Sequence, residues 1–310
     1  MLTAEERELL GLAPEQHSAR RPSAVSQVLR AIREEVESGA AAWELAGAEG
    51  DAGLAGGRLL LASNRATRRR AYALAQRVYA GCGYLAESAE GSVTRFDALP
   101  HTLTLLVEDA QGRDAATITL VFDSPAGLPC DEIYARELGA LRAQGRRLVE
   151  VTRLAIAPEH TRSKQLLVRL FNFIYIFARK VKGSDDFVIE VNPRHVAYYR
   201  RLLEFEVAGP ERPCPRVQGA PAVLLRLDLF RPEREVRRIG GTGAAARERT
   251  LYPYFYSWLE EGAVAEFLAR RHLPMTAEER RYFGLEEPAP SQRSAIGFSV
   301  GSEVLLQPSP

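Results

Sequence analysis

The stretch VEVTRLAIAPEHTRSKQLLVRLFNFIYIFAR, residues 149–179, concentrates side chains suited to chemistry: Glu150, Arg153, and then Arg162, Ser163 and Lys164 ahead of an apolar-faced helix. Two cations, a hydroxyl and a helix start make an anion-binding combination, because the first N–H groups of a helix are unpaired and carry partial positive charge. The loop at 158–165 contains no glycine. A pyrophosphate wrapped by backbone N–H groups needs the close approach that a residue without Cβ permits. A ligand with a single phosphate needs a less complete cradle, which Arg162, Ser163, Lys164 and the helix start supply; a nucleotide held by the same loop in a variant geometry is the alternative. A second stretch, VIEVNPRHVAYYRRLLEFEVAG at 188–209, sets Asn192 at a strand end and Tyr198 and Tyr199 on the next helix.

Positioning these residues takes alternating strands and helices, and the pattern from Arg58 onward supplies them. RLLLAS reads as a strand, 65–80 as a helix, and HTLTLLVED and AATITLVFDS as two strands about a turn at Gly112. A short helix at 135–144, the strand and helix described above, the strand DFVIEVN, the helix RHVAYYRRLLEF and a closing strand AVLLRLDLF complete an α/β (α+β) core. The predicted divisions are 1–57, a helical extension ending in the Gly/Ala-rich link GAEGDAGLAGG; 58–231, the core domain; and 232–310, a helical extension with a Pro/Ser-rich tail. The extension at 1–57 opens on a capping box, Thr3 with Glu6, followed by a second helix at 23–38. TAEERELLGL at 3–12 and TAEERRYFGL at 276–285 echo one another as two helix starts with the same capping chemistry, which is not a repeat architecture.

The 310 residues, 46% of them hydrophobic, suffice for one large core. With 41 basic against 40 acidic residues, no overall field favours a nucleic-acid partner. Lys164, Lys180 and Lys182 are the lysines and every other basic residue is arginine, a bias that GC-rich coding explains without selection for phosphate. Cys82, Cys130 and Cys214 are too far apart for a CxxC or Cys/His ligand set, so neither a metal site nor a disulfide framework is expected, and a reducing cytoplasm fits. MLTAEERELLGL lacks the basic-then-apolar order of a signal peptide, and the most apolar run, 166–178, is interrupted by Arg169. No transmembrane segment is predicted.

Strand, Asn192, a helix with Tyr198 and Tyr199, then Glu204-Phe205 where the pattern has Gly-Phe: this order resembles the second half of the GNAT acyltransferase core. TITLVFDSPAGLPCDEIY, GRRLVEVTRLAIAPEH, IEVNPRHVAYYRRLLEFEV and PAVLLRLDL together are similar to the bacterial long-chain N-acyl amino acid synthases (FeeM-like), relatives of the acyl-homoserine-lactone autoinducer synthases. The likeness covers about 60–230, and RTLYPYF beyond it is also family-like. It implies a GNAT-like mixed sheet flanked by helices, with two central parallel strands splayed to admit an acyl thioester. It further implies transfer of a fatty acyl chain from acyl carrier protein to the α-amine of an amino acid. The acyl-phosphopantetheine arm would be the donor substrate, with no tightly bound cofactor.

Autoinducer synthases carry Glu-x-x-Arg on the central strand, and Glu150 and Arg153 fall there. Residues three apart on a flat strand face opposite ways, so joint use requires a β-bulge near 152–156. Glu150 is then the candidate to orient or deprotonate the attacking amine, the alternative being an ion pair with Arg153, Arg146 or Arg147. Thr152 and Arg153 would bind substrate, and backbone N–H groups about Leu154 and Ile156 would face the thioester carbonyl. Tyr199 takes the place of the GNAT tyrosine that protonates the departing thiolate, packing being its alternative. The resemblance also puts Tyr79 and Tyr84 at the acceptor pocket, although Ala75 stands where an autoinducer synthase has Arg, and no Arg follows ATITLVF. Both departures argue against an S-adenosylmethionine acceptor. Arg95 and Asp97 are candidates for holding the acceptor's carboxylate and amine, or form a loop ion pair; Asn192 joins Arg162, Ser163 and Lys164 on the donor side.

The apolar helix LLVRLFNFIYIF is expected to be core, with an acyl tunnel between it and the sheet as a further reading. Arg68, Arg69, Arg70, Arg162, Lys164, Lys180 and Lys182 are candidate docking charges for an acidic carrier, or ordinary solvated cations. The competing functions are a coenzyme A acetyltransferase, an autoinducer synthase, and a non-catalytic acyl-carrier or lipid-binding regulator.

Overall fold

The computed structural model describes residues 42–44, 57–86, 93–243 and 247–285. Strands β1 (Ala42–Glu44), β2 (Arg58–Leu61), β3 (Leu103–Glu108), β4 (Asp114–Phe122), β5 (Leu148–Ile156), β6 (Asp186–Val191), β7 (Glu206–Val207), β8 (Arg212–Cys214) and β9 (Ala220–Asp228) form the sheet. Its order is β1-β2-β3-β4-β5-β6-β9-β7, with β8 added onto β9. Every pairing is antiparallel except β5 with β6. Seven helices accompany the strands among the described residues: α1 (Arg65–Gly81), α2 (Asp131–Ala143), α3 (Lys164–Tyr175), α4 (Pro193–Leu203), α5 (Phe230–Ile239), α6 (Trp258–Arg271) and α7 (Ala277–Tyr282). A π-helical stretch, Ile176–Val181, prolongs α3.

The period-two alternation of the strands sorts their side chains onto two faces. Leu105, Leu120, Val149, Val151, Phe187, Ile189 and Leu225 join one cluster with α3 and the helices after β9. Their neighbours Val121, Leu148, Val188 and Leu224 pack with Tyr134, Leu138 and Leu141 of α2. Leu106 meets Ala71 and Leu74 of α1 on that same second side. Helix starts follow from capping chemistry: Asn64 accepts from Thr67 N at 3.0 Å, and Asn192 precedes Pro193, whose ring suits the first helical position. Thr276 and Glu279 close a reciprocal capping box at α7, as the TAEERRYFGL pattern predicts.

Several boundaries depart from expectation. The helices predicted at 3–12 and 23–38 and the link at 47–56 lie outside the described residues, but Ala42–Glu44 of that supposedly helical extension is a strand paired with β2. The division at 231/232 falls inside α5. The helices beyond it are not an appendage, because Val236, Leu251, Tyr252, Phe255, Val264 and Phe267 are buried in the same cluster as β5 and α3. α2 begins at Asp131, four residues before the predicted 135. Among the described residues no helix is long and apolar enough to cross a membrane.

α4 ends on Glu204 with φ +62°, the left-handed conformation that glycine adopts freely and other residues at a cost of ~1–2 kcal/mol. This is where the pattern has Gly-Phe, and the carboxylate compensates through two 3.0 Å bonds from Arg231. Glu204→Gly should therefore unfold in urea with a stability about 1 kcal/mol above that of Glu204→Ala, since both lose Arg231 but only the alanine keeps the strain.

Candidate active site

The two parallel strands pair over a short length. Leu148 faces Asp186, Val149 faces Phe187 and Glu150 faces Val188; beyond that β5 continues to Ile156 against β4 while β6 continues to Val191 against β9. The closed end is clamped by the fully buried Asp186, which accepts from Arg146 Nη2 at 2.7 Å and Arg226 Nε at 2.7 Å. Past Glu150 the strands part, leaving the β6-facing edge of β5 from 151 to 156 on an opening.

A bulge opens this gap. Thr119 faces Thr152 and Thr117 faces Ala155, so Ile118 alone opposes both Arg153 and Leu154. Arg153 takes φ +50°, and its side chain turns onto the α1 face, where its guanidinium sits 5.0 Å from the centre of the Tyr72 ring. Leu154 and Ile156 pack against the cluster on the opposite face. The bulge predicted from the Glu-x-x-Arg spacing is therefore present, and the extra residue is the arginine itself.

Arg153 is buried and donates through both Nη atoms to both oxygens of Asp97. Asp97 also accepts from Thr94 N at 2.7 Å and Thr94 Oγ1 at 3.1 Å, closing the cap of the short helix Arg95–Ala98. This corrects the reading of Arg95 and Asp97 as a pair holding the acceptor: Asp97 is saturated and Arg95 lies exposed, 4.8 Å from the Phe96 ring centre.

Glu150, last in the paired segment, is 2% exposed and accepts from Cys130 N at 2.8 Å. The ion-pair alternative is overturned, because Arg146 serves Asp186, Arg147 serves Asp185 and Arg153 serves Asp97. Burial raises the Glu150 carboxyl well above the carboxylate range, and Glu190 reinforces it. Glu190 stands on β6 two residues past Val188, the partner of Glu150, hence on the same face. Arg216 donates to Glu190 and also to Glu132 and, at 2.8 Å, to Pro129 O. Burial likewise pushes the Cys130 thiol up, with Glu150 adding, so that cysteine is poorly suited to act as a thiolate nucleophile.

Tyr79, from the end of α1, meets Tyr84 edge-on with ring centres 6.2 Å apart, and Tyr84 Oη accepts from Arg194 Nη2 at 2.5 Å. The Tyr79 phenol is pushed up to about 12 by burial, with Arg153 acting against the shift. Tyr199 packs edge-on against Phe171 and Phe205 at 6.1 and 5.8 Å, and burial raises its hydroxyl, Tyr79 contributing. Arg153, Tyr79 and Tyr199 are thus within electrostatic reach in sequence Arg153–Tyr79–Tyr199. Glu150 and Thr152 lie on β5 at the point where its pairing with β6 ends.

Other candidates have structural work. Ser163 caps α3 by accepting from Leu166 N at 3.1 Å, and Asn192 caps α4. Arg162 is exposed in the loop before α3, and Lys164 lies 3.9 Å from the Tyr254 ring centre. Of the docking charges, Arg68 is buried against Glu279, while Arg70 is held by Asp114 and Glu108 and Lys180 by Glu233 and Glu261, so these three are corrected to structural pairs. Arg69, Arg162 and Lys164 are exposed, and Lys182 lies 3.3 Å from His101 Nδ1. Sequence reasoning missed Glu190, Arg216 and the Cys130 N–H; what puts Glu190 on the face of Glu150 is the parallel register pairing Glu150 with Val188, which no local pattern marks.

A mixed sheet whose two central parallel strands separate at a bulge, with a crossover helix beginning at the open end, is the architecture of GNAT-type acyltransferases, and this protein is an acyltransferase enzyme of that class. The model of the FeeM family, N-acyl amino acid synthases, matches residues 70–228, and the chain belongs to that family. The solved structure of FeeM, an N-acyl amino acid synthase from uncultured soil microbes, is 25% identical over 56% of this chain and 90% of its own, with a TM-score of 0.49. A putative N-acetyltransferase from Lactobacillus plantarum is 17% identical over 56% of this chain and 98% of its own, TM-score 0.39. A spermidine N-acetyltransferase from Vibrio cholerae is 18% identical over 42% and 66%, TM-score 0.31. No curated protein matches the chain.

Removing Arg153 strands a buried carboxylate. Arg153→Met should cost about 3–5 kcal/mol in urea unfolding, and adding Asp97→Leu should restore stability rather than reduce it further.

Proposed function

We propose that this N-acyltransferase moves a fatty acyl group from the phosphopantetheine arm of acyl carrier protein to the α-amine of an amino acid. The observation that carries the reading is the end of β5–β6 pairing at Glu150 and Val188, beyond which the two parallel strands separate; in this reading Tyr79 and Tyr199 line the gap. An extended thioester arm fits such a slot as a pseudo-strand. At the start of α3 the loop offers Arg162, Lys164 and backbone N–H groups, suited to one phosphate rather than a wrapped pyrophosphate. The same exposed cations, with Arg69, suit an acidic carrier, whose residence places the reaction in the cytoplasm.

The chemistry follows from the side chains present. The acceptor's ammonium gives one proton to the Glu150 carboxylate, and the free amine attacks the thioester carbonyl, forming the C–N bond. N–H groups on the opening edge of β5 about Leu154 and Ile156 stabilise the oxyanion. The C–S bond then breaks, the second nitrogen proton ends on the departing thiol, and Glu150 returns its proton to solvent. Burial keeps the Tyr199 hydroxyl protonated, so it serves as a hydrogen-bond donor to the leaving sulfur rather than as a group that ionises. Thr152 and Arg153, brought side by side by the bulge, face the acceptor side with Tyr79 and Tyr84.

Purified enzyme given fatty acyl thioesters of acyl carrier protein or of coenzyme A, with mixed amino acids, should form N-acyl amino acid with the carrier thioester by mass spectrometry. Turnover with the coenzyme A thioester alone would replace the donor assignment. Glu150→Gln should lower kcat by about 10²–10⁴. A regulator that only binds acyl carrier would show tight carrier binding, no acyl loss and no response to that substitution.

A further inference from the structure

Beneath the opening, Glu150 and Glu190 form a buried acidic pair that neither the fold nor the packing requires. Both lie on the α2 face of adjacent strands, Glu190 two residues beyond Val188, the registered partner of Glu150. Glu190 Oε1 is buried with no hydrogen-bond partner, while the other oxygen accepts from Arg216. Arg216 in turn reaches Glu132 at the surface end of α2. Two carboxyls so placed in a low-dielectric site cannot both be charged cheaply, and the cation next to one of them decides which is ionised.

The groups around the pair leave few other controls. From the start of α2 come Cys130, Asp131 and Glu132; Asp131 is occupied by Arg142. Tyr134 of α2 donates to Pro210 O and Ala222 O at 2.9 and 2.7 Å. From β8 and the turn after it come Cys214, whose thiol burial and Glu190 push up, and Arg216. Arg212 is bound to Glu137. On β5 itself Arg153 is bound to Asp97. Arg216 is therefore the cation that acts on Glu190 among these residues.

Resting on the reading of Glu150 as the proton acceptor, we propose that Glu190, anchored by Arg216, is a positioning residue that acts through Glu150, making it hold the amine's proton firmly enough to strip an ammonium. In the working state Glu190 is the carboxylate, neutralised by Arg216, and Glu150 is the empty carboxylate whose charge Glu190 disfavours. The ammonium's proton relieves that repulsion when it moves to Glu150. Removing the Glu190 charge makes Glu150 a weaker base; removing Arg216 leaves two uncompensated carboxylates and makes Glu150 a stronger one.

The two substitutions should therefore move the acid limb of the kcat/KM profile in opposite directions. Glu190→Gln should move it to lower pH by about one unit or more, with kcat at the optimum reduced, and Arg216→Gln should move it to higher pH. Glu190→Asp should return the limb toward that of the unsubstituted enzyme. The same order should appear without any turnover in the ¹³C titration of glutamate side-chain carboxyls, assigned by the resonance lost in Glu150→Gln. In the unsubstituted protein one glutamate carboxyl should stay protonated into the neutral range. Shifts of the same sign in both variants, as a general loosening would give, overturn the proposal, as does an ordinary low-pH titration of Glu150 in the unsubstituted protein. Absence of acyl transfer with the predicted ¹³C behaviour would instead refute the functional reading and leave the carboxyl pair standing.

Discussion

A buried arginine–aspartate pair holds a left-handed residue in the middle of a strand, and the opening of the sheet depends on it. Arg153 at φ +50° is costly for a residue with a side chain, and a bulge in an otherwise regular antiparallel pairing would be expected to anneal. What prevents it is that the flat alternative would carry the guanidinium to the opposite face, into the apolar cluster with Leu154 and Ile118, and leave Asp97 uncompensated. The desolvation cost of separating the pair exceeds the backbone strain of keeping it. Because the pair also closes the cap at Thr94, the segment Arg95–Ala98 and the bulge are fixed together.

The closed end of the same strands is governed by charge too, with the opposite effect. Asp186 is fully buried at the first β5–β6 rung and is shared by Arg146 and Arg226, from the turn before β5 and from β9. Three strands are thereby tied at one level, while five residues further along β5 the bulge at Arg153 interrupts its register with β4. A clamp at one end and a bulge at the other define a wedge, and the acidic pair of Glu150 and Glu190 sits at its apex, where water is excluded and a carboxyl is easily kept protonated.

What could be read in the residue order was whatever depends on spacing. Glu150 and Arg153 lie three apart, and the need to use both from one face implied a bulge within a window that contains the one observed. The strands from Arg58 onward and the helix starts at Asn192 and Thr276 followed from alternation and capping. What could not be read was partnership over long separations. Arg68, Arg69 and Arg70 look alike in sequence, but Arg68 is buried against Glu279, 211 positions away, while Arg69 is exposed. Asp97 resembled a loop residue next to Arg95 until the bulge turned Arg153 toward it. Glu190 passed as an ordinary strand residue because the rung joining Glu150 to Val188, two residues before it, belongs to the parallel pairing, whose register no local pattern encodes.

The segment after β9 bears on function through the two helices that flank the wedge. Tyr252 donates to Leu203 O at 2.6 Å and Leu251 N to Leu202 O at 2.9 Å, so the end of α4 is tied to this segment. Four residues after Tyr252, Tyr256 N donates to Asn172 Oδ1 at 2.9 Å, in the last turn of α3. α3 follows the loop after β5, and α4 carries Tyr199, which touches Phe171 of α3 edge-on. A short stretch around Leu251 and Tyr256 therefore sets the spacing between α3 and α4. The spacing of the two helices is thus determined by residues outside the segment that matches the family as well as by those inside it. The helices beyond Pro232 accordingly share one core with the sheet instead of forming a separate unit, because their backbone and side-chain hydrogen bonds tie α3 and α4 to the same segment.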